Sequence, residues 1–168
     1  MQTKLIIAVA LSALAMPVIA AQNDTHYALS AVHADFQDQL DRTAERSDAI
    51  GAAARAAAGL MAPHSAAQER LVLPLLGGLD AAASGQAAVV SNLPERMELE
   101  AELSELHDRD VDLVTALVEL YAAAEDAGHS EIARMAERMI WHETSDIEVL
   151  YPSALLVGSG QTRPVGNP

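Results

Sequence analysis

The stretch "HETSDIEVLYP", residues 142 to 152, has a counterpart at residues 64 to 74, "HSAAQERLVLP". Each carries a histidine, a side chain that offers oxygen four residues on, an apolar run, and a proline ten residues on. Neutral imidazole and carboxylate are ligands for iron, zinc and other divalent metals. On a helix with about 100° per residue, Asp146 lies about 40° around from His142, one turn along, so the two can share an ion. Glu143 and Glu148 fall on other faces and are expected in solvent or behind the ligands. In the first copy the favourable position is Gln68, a neutral amide, with Glu69 one residue late. A one-residue bulge of the kind found at functional sites would bring Glu69 round, and Pro63 favours irregularity nearby.

Two more histidines occupy matching places. His33 precedes His64 by 31 residues, and His107 precedes His142 by 35. A lone histidine on an apolar helix face is usually a core residue with satisfied ring nitrogens. Four of them on four helices of one small core would each cost ~1–3 kcal/mol if unpaired. A shared metal ion removes that cost for all four together. The candidate ligands are therefore His33, His64, His107 and His142, with Asp146 and Glu69 as carboxylates; Gln68 and Asp110 are further candidates. His26 and His129 lie near helix starts and read as surface residues.

The elements that must position these side chains are helical. Alanine is abundant and aromatics make up 3% of the chain, which favours helix over strand. The spacing predicts a first helix over about 28–46, with an apolar stripe through Leu29, Val32, Phe36 and Leu40 and with His33 on it. A second is expected over about 48–73, kinked or restarted at Pro63, and then a loose connection through "GGLDAAASGQ". The third runs from Pro94 to Gly128, with an inward stripe of Leu103, His107, Asp110, Val114, Leu117 and Tyr121. The fourth starts near Ser130, whose hydroxyl can cap it, and ends at Pro152. Four amphipathic helices with short connections predict an all-α fold, an antiparallel up-down-up-down four-helix bundle over residues 28–158. The tail, residues 159–168, is expected to be disordered.

Residues 1–21 read as a secretory signal peptide: one positive charge in "MQTK", a short apolar run, and small residues before Gln22. The remainder suits one domain with a real core, exported to the periplasm or secreted, with no membrane association after cleavage. The formal net charge is −14, which repels nucleic acid and anionic membrane surfaces. There is no cysteine, so disulfides and thiolate metal sites are excluded. No G-x-S-x-G elbow and no Gly-rich phosphate loop before a helix is present. Nothing in the sequence supplies a convincing general acid or base, so the reading is a binding protein rather than an enzyme.

These residues resemble the hemerythrin-like, or HHE cation-binding, family. The likeness lies in "AVHADFQDQL", "MAPHSAAQERLVLPLLGGL", "ELHDRDVDLVTALVELYAAA" and "MAERMIWHETSDIEVLYPSALLVG", which occur in family order. The resemblance implies an antiparallel four-helix bundle around a non-haem di-iron centre. His33, His64, His107 and His142 would be terminal ligands and Asp146 one bridging carboxylate. The other bridge falls at Gln68, where the family usually has glutamate, with Glu69 beside it. The oxygen carriers' second histidine on the third helix falls at Leu103 or Val111, neither of which can ligate. The implied ligand is O2 or a related small molecule. A mononuclear site, another divalent metal, and a structural or interaction bundle with a degenerate site are the alternatives.

Overall fold

The computed structural model describes residues 21–83 and 96–161. The described chain is all-helical, with no strand: α1 (Ala21–Ala44), α2 (Ala49–Ala83), α3 (Arg96–Asp126), α4 (Ser130–Ser145), a π-helical turn (Asp146–Leu150) and α5 (Tyr151–Gln161). Because α4, the π turn and α5 follow without interruption, the molecule is a four-helix bundle. α2 packs against α1 and α3, α4 packs against α3, and α5 lies against α2 and α3. The expected leader, apart from Ala21, lies outside the described residues, as do residues 162–168 of the expected tail. Ser159–Gln161, expected within that tail, belong to α5.

Two prolines do not stop α2. Pro63 and Pro74 both lie inside it, and the helix runs ten residues past the expected end at Leu73. An interior proline removes a hydrogen bond and costs ~3 kcal/mol. Leu71, Val72, Leu73 and Leu75 flank Pro74 and are all buried, and each buried side chain of that size contributes ~1.5–3 kcal/mol. Apolar burial on both sides of Pro74 outweighs the local defect. Pro152 likewise fails to end the last helix, because the widened turn precedes it. The Tyr151 amide reaches back five residues to the Asp146 carbonyl, so the chain is already off the ordinary ladder where proline has no N–H to give.

On α3 the buried residues are Leu99, Leu103, Leu106, Asp110, Leu113, Leu117, Leu120 and Ala124, at alternating spacings of four and three, with Ala116 alongside. The expected stripe shares Leu103, Asp110 and Leu117 but fills the alternate places with His107, Val114 and Tyr121. Leucines at 99, 106, 113 and 120 present far more apolar surface than that set, so the helix turns them inward. His107 and Tyr121 are consequently exposed.

The core is divided along the bundle. One apolar layer gathers Phe36, Leu40, Ile50, Met61, Leu113, Leu117, Leu120 and Met139. The other gathers Leu71, Val72, Leu75, Leu99, Leu103, Leu106 and Tyr151. In α2, α3 and the last rod, the buried polar residues fall between these two sets in sequence: His64 and Gln68, Asp110, then Glu143 and Asp146.

The turns follow local chemistry. Gly128 has φ 74°, and the His129 and Gly128 amides donate to the Ala124 and Glu125 carbonyls at 2.8 and 3.0 Å, closing α3 in a Schellman motif. The N-cap of α4 is His129, without a side-chain cap bond, so Ser130 is one residue too late for the expected capping role. Asp48 caps α2 by accepting from the Gly51 amide at 3.0 Å. A Cβ on Gly51 would run into the Arg46 carbonyl, so the α1–α2 turn requires glycine there.

Candidate metal centre

The polar layer is built from all four rods of the bundle. His33 comes from α1, His64 and Gln68 from α2, Asp110 from α3, and His142, Glu143 and Asp146 from the end of α4 and the π turn. His33, His64, Glu143 and Asp146 each offer one ligand atom within 4.8 Å of the others, and all four are buried. Atoms bonded to one ion at about 2.1 Å lie within about 4.2 Å of each other, so a small contraction would close the set. His142 adds a fifth donor: its Nε2 lies 3.0 Å from His33 Nε2 and 3.7 Å from Asp146 Oδ2. It is the more open member, with 21% of its side chain exposed.

The last rod reaches the layer at the end of α4, and a widened turn follows at once. Its inward residues run Ala136, Met139, Glu143, Asp146, Tyr151 and Ala154. The spacing is three or four residues except for the five between Asp146 and Tyr151, across the π turn. That extra residue allows both Asp146 and Tyr151 to point inward. Glu143 occupies the position that a turn centred on His142 would have assigned to solvent.

Other contacts hold the candidate ligands from behind. His64 Nε2 faces Glu143 Oε2 at 3.0 Å, while its Nδ1 lies 2.5 Å from Asp110 Oδ1. A carboxylate on the far nitrogen orients the ring and leaves Nε2 toward the centre. Gln68 Nε2 donates to Asp146 Oδ2 at 2.5 Å, so the amide clamps that carboxylate.

The electrostatics are unbalanced. Burial, and then the charges of His64 and His142, push His33 down to about 3, so it is neutral. Burial opposes the charged form of His64, but Asp110 and Glu143 outweigh it and lift the ring to about 10. Burial raises Asp146, partly offset by the Gln68 hydrogen bond. The Tyr151 phenol is pushed up by burial and then by the Asp110 charge beside it, so it stays protonated. Three buried carboxyl groups thus crowd around His64.

The same groups are poorly satisfied by protein partners. Among the described residues, nine buried side-chain polar atoms of this layer lack an aligned hydrogen bond: His33 Nδ1, both ring nitrogens of His64, Gln68 Oε1, both oxygens of Asp110 and of Glu143, and the Tyr151 hydroxyl. Native interiors leave only a few such atoms per hundred residues, although each His64 ring nitrogen has a carboxylate oxygen within 3.0 Å. Nitrogen and carboxylate donors from four helical rods converge there. The residues present therefore fit a divalent cation.

Several expectations need correction. His107 is not in the layer: its side chain is 49% exposed and its nearest acid is Asp108, at 3.7 Å. The leucine seam of α3 turns it outward. Glu69 is exposed, because the irregular turn that could have rotated an acid inward occurs at Asp146 rather than near His64. Asp110 enters the layer through His64 rather than His107. Glu143 is the residue missed by the sequence reading. Its signal was its place at spacings of four and three in the series Ala136, Met139, Glu143 and Asp146. Comparison with known proteins finds no family model, no curated relative and no solved structure that matches this chain.

Proposed function

We propose that this chain is a hemerythrin-like, up-down-up-down bundle that holds non-haem iron in its polar layer for binding O2 or a related small ligand, for sensing, or for metal holding. His33, His64, His142, Glu143 and Asp146 would hold the ion, with Asp110 and Gln68 orienting His64 and Asp146. The observation that carries this reading is the layer of convergent, buried imidazoles and carboxylates between two apolar cores. Three imidazoles with two carboxylates suit iron. Bound iron would supply a site for a small exogenous ligand. With His107 outside and Gln68 a neutral clamp, the donors favour one firmly held ion over the symmetric pair that the family resemblance implies. The apolar run and small residues near the N-terminus support export. The reading is of a binder rather than a catalyst, since reversible ligation needs no proton relay.

A second reading, a structural bundle with a relic site, draws on the Gln68–Asp146 hydrogen bond and the exposure of His107. Metal analysis separates the two. Iron near one equivalent per chain after anaerobic reconstitution, lost in His64→Ala, supports the first. Chelation should then lower the melting temperature, since an ion bound only by the native state at 100 times its Kd contributes about 2.7 kcal/mol. No bound metal after iron supplementation would leave the structural bundle.

A further inference from the structure

We propose that the cleft between α1 and α2 is the port through which a divalent cation reaches the buried layer, with Glu69 as the carboxylate that captures it. The inference rests on the metal-binding reading above. The cleft has a volume of about 210 Å³, and His33, a residue of the layer itself, forms part of its lining. That ring is only 2% exposed. Its Nε2 approaches His142 at 3.0 Å, whereas Nδ1 has no aligned partner. One imidazole thus borders both the cleft and the centre.

The walls suit passage. Ser30 and Ala34 on α1 and Ala62 and Ser65 on α2 are small, so two helices that pack closely elsewhere leave an opening here. Gln37 turns its Nε2 to Asp41 at 3.0 Å, while its Oε1 is buried and without a partner. Glu69 supplies the only carboxylate of the lining. A carboxylate oxygen is a ligand for a hard divalent cation, and a localized negative charge raises the cation's rate of encounter.

Two other grooves among the described residues lack these features. The one between α2 and α3, about 200 Å³, sets Arg70 and Arg109 against Glu102 and Glu105 and includes none of the candidate ligands. The one between α1 and α4, about 380 Å³, carries Arg42, Arg46 and Arg138 and again includes none. The second also holds Glu131, but neither groove is lined by a residue of the polar layer.

Anaerobic stopped-flow uptake of Fe2+ by the full chain tests the proposal. Glu69→Gln should slow uptake and chelator-driven release by the same factor, roughly tenfold, with final stoichiometry and Kd unchanged. Ala62→Leu, which narrows the cleft from a separate position, should do the same. Glu105→Gln, in the α2–α3 groove, should leave both rates alone. Unchanged rates in both cleft variants would overturn the port, and so would a loss of equilibrium iron in Glu69→Gln, which would make Glu69 a ligand. If the unaltered chain takes up no Fe2+, the metal-binding reading fails first and the port fails with it.

Discussion

Gln68 on α2 and Asp146 at the start of the π turn, 78 residues apart in the chain, are joined by a buried hydrogen bond of 2.5 Å from the amide nitrogen to the carboxylate. The contact fixes the Asp146 carboxylate from α2. Gln68→Glu would replace the donor with a second carboxylate against Asp146. Without metal, the variant should lose ~3–5 kcal/mol of stability in urea, the scale of a broken buried polar pair. With Fe2+ it should recover most of that loss, and its iron content should rise above that of the parent. Equal stability of parent and variant without metal would mean that the two groups do not meet.

Glu143 and His107 exchange their expected importance. Glu143 is fully buried and faces His64, whereas His107 is half exposed. Equilibrium iron content should therefore fall by at least tenfold in Glu143→Gln and stay at the parental value in His107→Ala. Loss of iron in the His107 variant would show that α3 presents its other stripe in solution.

That choice of stripe has a stability readout of its own. Leu106 is 2% exposed and packs in the layer that contains Leu103 and Tyr151. Leu106→Ala should cost about 2–5 kcal/mol through lost burial and the cavity left behind. His107→Leu should change stability by less than about 0.5 kcal/mol, as surface substitutions do. Chemical denaturation of the two variants measures both. A larger effect at 107 than at 106 would reverse the assignment of the seam.

The α1–α2 turn should show itself on acidification. A hydrogen bond from Arg46, then the cap bond from the Gly51 amide, hold Asp48 down to about 2. Its ordinary value is 3.8, so the group contributes stability above about pH 4 that is lost as pH falls toward 2. Asp48→Asn keeps a cap acceptor but has nothing to titrate. The stability gap between parent and Asp48→Asn, measured in urea at pH 5, 3.5 and 2.5, should narrow as the solution becomes more acidic. A constant gap would remove Asp48 as the titrating group.

Much of this was legible in the residues themselves. Alanine-rich amphipathic segments determined an all-helical chain, and Gly128 marked the end of α3. The histidines at 33, 64 and 142, with Asp146, were readable as an inward set because they sit at helical spacing among apolar neighbours. On α3, two overlapping stripes share Leu103, Asp110 and Leu117, and counting the leucines at 99, 106, 113 and 120 would have chosen correctly. Pattern alone could not assign Glu69 or Pro152. Those depend on where one rod takes a five-residue turn, and that turn is stable only where packing from other helices holds it. Sequence set which residues could be ligands; the tertiary structure decided which of them meet, because the rotation of each helix is set by the summed burial along its length rather than by any one polar side chain.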